Sequence, residues 1–218
     1  MLIGHSNLKK RDLVVEVGAG SGVITCALAH RVREVIAIEP DPQTAARLRF
    51  NLARRGLLRP EGPTGHQVED SGQADRRLGR QPTKTPGRPL ARALPQGRPK
   101  ANVTVFEGDF RDFKLPSEPY KVFSNPPFHL SSELFKFLLN SKNPPMSIYL
   151  ILQKQFALKL LNNTRHYTSQ LGYQLTKNYD TKIRLPLKPS DFTPPPAVPT
   201  VFFEAKRNDQ APSRDLTV

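Results

Sequence analysis

The chain has 218 residues, a formal net charge of +14 and one cysteine, Cys26. A single cysteine excludes a disulfide scaffold and a zinc or iron–sulfur site built from clustered cysteines. No apolar run reaches the roughly 18 residues of a membrane-spanning helix, and the first residues lack the long apolar stretch of a signal peptide. The sequence therefore predicts a cytoplasmic protein without a membrane segment, and its basic charge favours a polyanionic partner.

Residues 57–100 differ in composition from the rest of the chain. They include 7 prolines and 6 glycines, no Phe, Tyr or Ile, and a net charge of +5. With few large apolar side chains, this segment is not expected to offset its own ordering entropy. We therefore expect a flexible basic insert between two parts of one domain, 1–56 and 101–206, with a short tail at 207–218. Alternatively, the insert follows a phosphate backbone through its basic side chains: Arg76, Arg77, Arg80, Lys84, Arg88, Arg92 and Arg98.

Strand-like and helix-like segments alternate along both parts of the domain. Strands are predicted at 12–17, 34–39, 102–106, 120–124 and 147–152, and helices at 23–31, 42–55, 131–139 and 154–161. Alternation at such short spacing predicts a parallel, doubly wound α/β sheet. Two further extended segments, 173–187 and 200–206, flank a proline-rich loop and predict an antiparallel hairpin at one edge of the sheet.

Glycines follow the first strand in the run Glu16-Val-Gly18-Ala-Gly20-Ser-Gly22, which opens a helix. Glycines let the backbone approach a ligand closely, and a helix N-terminus offers free N–H groups. A dinucleotide-binding fingerprint needs a third glycine three residues after Gly20, where this chain has Val23. The spacing fits the methionine part of S-adenosylmethionine better than a pyrophosphate. A tight strand-to-helix turn without a ligand is the alternative.

Acidic residues follow the second and third strands. Glu39 ends the second strand, where a carboxylate can accept hydrogen bonds from ribose hydroxyls. Asp109 follows the third strand and could accept a hydrogen bond from the exocyclic amine of an adenine, with Phe110 beside the ring. An exposed strand-end acid and a common Gly-Asp turn are the corresponding structural interpretations.

The run Asn125-Pro126-Pro127-Phe128 follows the fourth strand and discriminates best between functions. The N6 amine of adenine is a poor nucleophile because its lone pair is delocalised into the ring. The side-chain carbonyl of Asn125 and the backbone carbonyl of Pro126 could each accept one amine hydrogen, which would aim the lone pair at a methyl donor. Pro127 stiffens the loop, and Phe128 offers a face on which a flipped-out base can stack. A proline turn alone would not explain the asparagine or the aromatic residue.

With these residues the chain resembles the rRNA adenine N6-methyltransferases, the family that includes the Erm resistance enzymes and the KsgA housekeeping enzymes. The resemblance runs from about Asp12 to Lys206 without the insert. It rests on the segments already quoted, on Asp41, on Gly108, and on two later runs, Gln153-Lys-Gln-Phe-Ala157 and Phe192-Thr-Pro-Pro-Pro-Ala-Val198. The form Asn-Pro-Pro-Phe-His-Leu-Ser is closer to some Erm proteins than to KsgA, whose loop usually reads Asn-Leu-Pro-Tyr.

The resemblance implies a Rossmann-like class I methyltransferase with a mainly parallel seven-stranded sheet and S-adenosylmethionine as the cofactor. The cofactor-binding residues would be Glu16, Gly18, Gly20, Gly22, Glu39, Asp109, Phe110 and Asn125, and the catalytic residues Asn125, Pro126, Pro127 and Phe128. The implied reaction is N6-methylation of an rRNA adenine. For the Erm branch the target is 23S rRNA, and the outcome is resistance to macrolides, lincosamides and streptogramin B. We expect the protein to be a monomer that binds no membrane.

The chain departs from the family pattern at both ends. Only eleven residues precede the first strand, so we expect few N-terminal contacts to the cofactor, and Gly4-His5-Ser6-Asn7 is the candidate remnant of the family's N-terminal motif. Only twelve residues follow Lys206, so the usual C-terminal helical domain is expected to be absent.

Other functions and other sites remain open at this stage. The alternatives are a KsgA-like 16S rRNA dimethyltransferase, a DNA adenine or protein glutamine methyltransferase, and a non-catalytic RNA-binding relative. The five histidines lack ligand spacing, so no metal site is expected. Cys26 is interpreted as a small core residue.

Overall fold

The structure is a computed structural model that describes residues 2–60, 101–161 and 168–208. Short runs rich in Val, Ile, Leu and Phe form the strands, and helices follow most of them. In chain order the elements are β1 (Leu13–Val17), α1 (Val23–Ala29), β2 (Glu34–Glu39), α2 (Pro42–Arg54), β3 (Val103–Glu107), β4 (Lys121–Ser124), α3 (Ser131–Leu139), β5 (Ser147–Gln153), α4 (Lys154–Leu158), α5 (Gln170–Thr176), β6 (Tyr179–Leu187) and β7 (Thr200–Arg207).

The strands form one seven-stranded sheet in the order β3-β2-β1-β4-β5-β7-β6. Strands β3, β2, β1, β4 and β5 are parallel, whereas β7 is antiparallel to β5 and to β6. This confirms the predicted α/β sheet with an antiparallel edge hairpin. The chain moves outward from β1 in one direction and from β4 in the other, so the order reverses between them. Such a reversal opens a crevice at the carboxyl ends of the two strands.

Helices cover both faces of the sheet, and each face has its own apolar core. Residues Leu13, Val15 and Val17 of β1 pack into the core that includes α3 and α5. Val14 lies in the other core, with α1 and α2. All five residues of β1 are buried, as expected for a central parallel strand whose two faces are both covered.

The beginning of α2 shows how the sequence determines a helix start. Asp41 is the N-cap residue, and its side chain accepts a hydrogen bond of 2.7 Å from the backbone N–H of Thr44. Pro42 occupies the first helical position, where no backbone N–H is needed. The cap fixes the direction of α2 immediately after Glu39, the last residue of β2.

Two sequence predictions differ from the structure. The segment predicted to be extended from residue 173 is helical as far as Thr176, because Ser169 caps α5 by accepting a hydrogen bond of 3.1 Å from the N–H of Gly172. The helix predicted at 154–161 ends as an α-helix at Leu158. Both segments have mixed apolar spacing, and tertiary packing decides their conformation.

The predicted insert begins with residues that belong to the sheet. Leu57 is fully buried, and its carbonyl accepts hydrogen bonds of 3.0 Å from the N–H groups of Asn102 and Val103. Leu58 forms a parallel bridge with Val103. The remaining part of the predicted insert, 61–100, lies outside the described residues, as does most of the predicted tail.

In the part of the chain that the structure describes, no helix combines the length and the apolar character needed to cross a membrane.

A buried amide joins α1 to the strands beside it. Asn102 is 7% exposed, and its side-chain N–H₂ group donates to the carbonyl oxygens of Ala29, Val32 and Arg33 at distances of 2.9, 3.1 and 3.3 Å. These carbonyls follow the end of α1, where helix carbonyls lack intrahelical partners. Asn102 therefore satisfies backbone groups that the helix cannot satisfy.

We expect Asn102→Ala to lower the free energy of unfolding by about 1–3 kcal/mol, because it leaves buried carbonyls without a donor. Urea denaturation followed by circular dichroism measures the change. Asn140→Ala, at the C-cap of α3, is the matched control. Equal effects of the two substitutions would contradict the role given to Asn102.

Candidate active site

The site lies at the crevice between β1 and β4. The glycine loop, residues 18–22, follows β1, and the Asn-Pro-Pro-Phe loop, residues 125–128, follows β4. A Cβ atom built on Gly18 would lie 3.6 Å from Cδ of Pro127, so the two loops run close together and a side chain at position 18 would contact Pro127. The fold thus brings together the two motifs that the sequence singles out.

The glycine loop is held by β2 and by α2. The N–H groups of Gly18 and Ala19 both donate to the carbonyl of Ile38, at 2.8 and 3.1 Å. Gly22 has a φ of +89°, and a Cβ there would lie 2.5 Å from Cδ1 of Leu48. Only glycine fits this position, because an added methyl group would meet both backbone strain and the α2 side chain.

Glu39 supports the glycine loop from below. It is 7% exposed; its Oε2 accepts a hydrogen bond of 2.8 Å from the N–H of Gly20, and its Oε1 accepts one of 3.2 Å from the N–H of Asp41. Glu39 also lines the cleft described below. Each carboxylate oxygen can accept more than one hydrogen bond, so Glu39 can hold the loop and still bind hydroxyl groups of a ligand.

Glu16 lies beneath the loop rather than on the cleft surface. It is 1% exposed, and the described residues that line the cleft include its neighbours Val17 and Gly18 but not Glu16 itself. Burial raises the pKa of Glu16 to about 8; the Thr25 hydroxyl opposes this shift and the charge of Glu39 adds to it. Its Oε2 has no hydrogen-bond partner within the described part of the chain.

Asp109 is engaged by an arginine that the sequence reasoning missed. Its Oδ1 accepts hydrogen bonds of 2.8 Å from both the backbone N–H and the Nε–H of Arg111, and its Oδ2 accepts one of 2.7 Å from a terminal guanidinium nitrogen. These hydrogen bonds hold the pKa of Asp109 below its usual value. Arg111 also reaches Glu133, at 3.3 Å. Asp109 is therefore ionised and acts only as an acceptor.

Phe110 is a core residue with one face towards the cleft. It is 4% exposed, and its ring meets Phe137 edge to face with the centroids 5.5 Å apart. It lines the cleft beside Asp109, as the sequence predicts for a residue near an adenine ring.

The Asn-Pro-Pro-Phe loop begins where β4 meets β1. The hydroxyl of Ser124 donates to the carbonyl of Val17, the last residue of β1. Asn125 then projects outward and is exposed, Pro126 is buried, and Phe128 is half-buried in a short 3-10 turn. The turn is closed by a hydrogen bond of 2.9 Å from the N–H of Leu130 to the carbonyl of Pro127.

Two cavities meet at Asn125. The first, called the cleft, has a volume of about 470 Å³, in the range of small-molecule sites. It is lined by Val17, Gly18, Ile38, Glu39, Pro40, Asp109, Phe110, Asn125, Pro126, Pro127, Phe128, Leu130, Phe192, Pro194, Pro195 and Pro196. The second has about 730 Å³ and extends from Asn125 to the N-terminal residues Leu2, Ile3 and His5.

Phe192 lines both cavities together with Asn125. It belongs to the Phe192–Val198 run, which supports the family resemblance but is not among the site residues predicted from sequence. Two signals in the sequence could have identified Phe192 as a site residue. It is an aromatic residue directly before a run of prolines, and the loop that carries it leads into β7, which pairs with β5. The cleft is thus lined by three aromatic side chains, Phe110, Phe128 and Phe192, together with the exposed Asn125.

Among residues 2–60, 101–161 and 168–208, no cluster of three or more His, Cys, Asp or Glu side chains could hold a metal ion. Cys26, interpreted from sequence as a core residue, is partly buried and packs against the core that includes α1 and α2.

Comparisons with a family model and with known sequences give matches that are named as adenine methyltransferases or dimethylases. The family model for ribosomal RNA adenine dimethylase matches residues 2–57 and 88–218. An rRNA adenine N-6-methyltransferase of Bacteroides fragilis is 26% identical over 208 residues, which cover 94% of this chain and 60% of that protein. A dimethyladenosine transferase of Candida glabrata is 24% identical over 218 residues, covering 99% of this chain and 55% of that protein. The chain therefore spans somewhat more than half the length of these relatives.

Solved structures show the same fold. A dimethyladenosine transferase of Plasmodium falciparum superposes with a TM-score of 0.68 at 21% identity, over 95% of this chain and 60% of that chain. The 23S rRNA methyltransferase ErmE gives a TM-score of 0.66 at 21% identity, over 94% of this chain and 65% of that chain. At these identities the likeness establishes the architecture alone.

We expect Glu16→Gln to change how stability depends on pH. Because the pKa of Glu16 is about 8 in the folded protein and 4.5 ordinarily, the folded state binds the extra proton between these values. The wild type then loses stability as pH rises through this window, by as much as about 1.4 kcal/mol per pH unit. The variant has no such proton, so its stability relative to the wild type should increase from pH 4.5 to pH 8.

Thermal unfolding at a series of pH values measures the difference between the two proteins. Glu118→Gln, which removes a half-exposed carboxylate paired with Arg33, controls for the loss of one acidic group. A constant difference between Glu16→Gln and the wild type across the series would show that Glu16 is not held neutral.

Proposed function

The chain belongs to the ribosomal RNA adenine dimethylase family, and we propose that it transfers methyl groups from S-adenosylmethionine to the N6 atom of an adenine in rRNA. The observation that carries the proposal is the position of the Asn-Pro-Pro-Phe loop. It lies against the glycine loop and places Asn125 at the mouth of a cleft of about 470 Å³ that Glu39, Asp109 and Phe110 also line.

The residues of the cleft fit the adenosine part of the cofactor. Glu39 offers carboxylate oxygens for the ribose hydroxyls, and Asp109 is an ionised acceptor for the exocyclic amine of the adenine. Phe110 and Ile38 supply apolar surface for the ring. The glycine loop leaves space for the methionine part, because it presents no side chain larger than those of Ala19 and Ser21. When bound, S-adenosylmethionine supplies an activated methyl group on a positively charged sulfur.

Asn125 orients the amine that receives the methyl group. Its amide oxygen and the carbonyl of Pro126 each accept one N–H of the target adenine, so that the nitrogen lone pair points away from the ring plane. The nitrogen becomes strongly acidic as the new N–C bond forms, and its proton leaves to solvent without a strong base. Positioning and charge complementarity therefore account for the rate enhancement.

Phe128 and Phe192 hold the target base outside its stack. Both rings line the cleft next to Asn125. Stacking of a base on an aromatic side chain contributes about 1–3 kcal/mol, which offsets the cost of unstacking the base from its RNA.

We assign 23S rRNA as the substrate and resistance to macrolides, lincosamides and streptogramin B as the outcome. The support is the sequence Asn-Pro-Pro-Phe-His-Leu-Ser from Asn125 to Ser131, which resembles Erm proteins. The similarity to relatives named dimethyladenosine transferase favours a second candidate, dimethylation of a small-subunit rRNA. The two candidates share the same site and differ only in the RNA that reaches it.

The substrate assignment is tested by incubating the protein with radiolabelled S-adenosylmethionine and, separately, protein-free 23S rRNA, 16S rRNA and duplex DNA. We expect label in 23S rRNA, at N6 of an adenine after nuclease digestion and chromatography. Label in 16S rRNA alone would select the second candidate. Label in DNA alone, or calorimetry that detects no cofactor binding, would refute the rRNA methyltransferase assignment.

Asn125→Ala should reduce methyl transfer by at least about a hundredfold, because it removes the acceptor that orients the reacting amine. Cofactor affinity, measured by calorimetry, should stay nearly unchanged, since Glu39 and Asp109 hold the adenosine part. Asn140→Ala serves as the control for an asparagine substitution away from the cleft. A parallel loss of cofactor affinity and of the methyl-transfer rate would instead show that Asn125 acts mainly by binding the cofactor and not by orienting the amine.

A further inference from the structure

A groove runs along the outer side of the glycine loop, between α1 and α2. It has a volume of about 430 Å³ and is lined by Ser21, Gly22, Val23, Cys26, Ala27, His30, Asn51 and Arg55. A smaller depression of about 230 Å³, lined by Asn51, Arg54 and Arg55, continues it. We call this surface the α1/α2 groove. None of the residues assigned to the methyl-transfer site, other than Gly22, lies in it.

The α1/α2 groove is positively charged. Arg54 and Arg55 are exposed, and neither forms an ion pair within the described part of the chain. No described acidic residue lines the groove. By contrast, Arg49 and Arg59 are paired with Glu107 and Glu34. Arg54 and Arg55 thus place two unpaired cations where α2 faces the groove, whereas Arg47, a further exposed cation of α2, is not among the lining residues.

An exposed aromatic ring lies beside these charges. Phe50 is 61% exposed, and the guanidinium carbon of Arg54 lies 5.7 Å from the centre of its ring. The apolar side chains of α2 that support the fold, Ala45, Leu48 and Leu52, are buried against the sheet, so Phe50 has no packing role there. Arginine next to an exposed aromatic ring is the combination that binds single-stranded nucleic acid, through phosphate contacts and base stacking.

The α1/α2 groove is connected to the cleft through the glycine loop. Gly18 lines the cleft and Gly22 lines the groove, and four residues of chain span at most about 15 Å. The side-chain N–H₂ of Asn51 donates to the carbonyl of Ser21 at 3.0 Å, which fixes α2 against the loop. A polynucleotide that delivers a base to the cleft can therefore reach the groove within a few nucleotides.

We propose that the α1/α2 groove binds the ribose-phosphate backbone of the RNA substrate next to the target adenine. Arg54 and Arg55 contact successive phosphates, and Phe50 stacks with a flanking unpaired base. This inference rests on the proposed function for the identity of the polymer, but the charge of the groove and the exposed Phe50 ring beside Arg54 are independent of the chemistry at Asn125. A membrane surface is a poor fit, because α2 turns its apolar face inward.

The test compares two double variants, each of which removes two positive charges, on opposite faces of the sheet. Arg54→Gln/Arg55→Gln removes the unpaired cations of the groove. Lys136→Gln/Lys177→Gln removes two exposed cations from α3 and α5, which pack on the other core. Fluorescence anisotropy with a fluorescein-labelled single-stranded RNA of mixed sequence, at several salt concentrations, gives both the affinity and its salt slope.

We expect the groove variant to bind RNA on the order of tenfold more weakly near 0.1 M salt, and to lower the slope of log K against log salt by about 1.4 for two lost phosphate contacts. The lysine variant should keep the slope of the wild type. Equal losses in the two variants would mean that RNA senses only the total charge of the domain, and the groove assignment would then be wrong.

Phe50→Ala isolates the stacking contribution. It should weaken RNA binding at least about fivefold without changing the salt slope, since it removes no charge. Tyr173→Ala is the matched control, because Tyr173 is 62% exposed and has Lys177 over its ring at 4.8 Å on the opposite face. Displacement of RNA by polyglutamate as readily as by unlabelled RNA would show that the groove reads charge alone and would overturn its assignment to RNA.

The RNA-binding test of the groove and the methyl-transfer test of the proposed function can fail independently. If methyl transfer to rRNA is observed and the groove variants bind and react like the wild type, the groove assignment fails while the activity stands. If no rRNA is methylated but the groove variants lose RNA affinity as described, the groove is an RNA site on a protein whose reaction is different. Cofactor binding by calorimetry should be unaffected in every groove variant.

Discussion

The two strands that carry the site separate before their loops begin, and the rest of the site depends on this separation. β1 and β4 pair at Val14 with Lys121 and at Val15 with Val122. Beyond these pairs the last link is a side-chain hydrogen bond, from the Ser124 hydroxyl to the carbonyl of Val17. The loops that follow diverge and enclose a cleft, whereas a continued backbone ladder would have closed it. A small hydroxyl residue at 124 therefore sets the position of Asn125 relative to the glycine loop.

Three acidic residues around the cleft have three different environments, and the environment assigns each its task. Glu16 is buried without a partner for one oxygen, and its pKa of about 8 keeps it neutral at physiological pH. Asp109 is held ionised by Arg111. Glu39 is tied to the N–H groups of Gly20 and Asp41. Glu16 is thus buried away from the cleft surface, Asp109 is paired with Arg111 at the cleft, and Glu39 holds the glycine loop while lining the cleft. Carboxyl groups that look alike in the sequence thus differ in pKa and in hydrogen bonding, because their burial and their neighbours differ.

The parts of the site that could be predicted from sequence are those in which a strand and its following loop are contiguous. Gly18 and Asn125 stand directly after a strand and Glu39 is the last residue of one, so parallel alternation alone places them at one edge of the sheet. The pairing of Asp109 with Arg111 also lies within three residues, but its bidentate geometry depends on the turn conformation. Position 16 was predicted to touch the cofactor, and its burial beneath the loop depends on the packing of α1, which no local pattern reveals.

Features that depend on contacts between distant parts of the chain are harder to predict from the sequence. Phe192 reaches the cleft because β7 pairs with β5 over seven residue pairs and β6 pairs with β7 over eight. The helical turn at 173–176 depends on the Ser169 cap and on close packing of Gly172 against the backbone of Lys159. In each case the deciding contact joins residues that are near in space but not in the pattern. Sequence periodicity is therefore a weaker guide at the antiparallel edge than in the parallel half.

The glycine loop has two sides, and α2 connects them. On the inner side a Cβ at Gly18 would lie 3.6 Å from Pro127, and on the outer side Gly22 leaves room for Leu48 while the Ser21 carbonyl accepts a hydrogen bond from Asn51. A loop of small residues would be mobile if only one side were supported, since glycine has the largest backbone entropy to lose. Here β2 fixes it through the Ile38 carbonyl and Glu39, and α2 fixes it through Asn51. The same helix that stabilises the loop against the cofactor side therefore presents Phe50, Arg54 and Arg55 to the other side. The glycine loop and the proposed RNA contacts thus depend on the same helix.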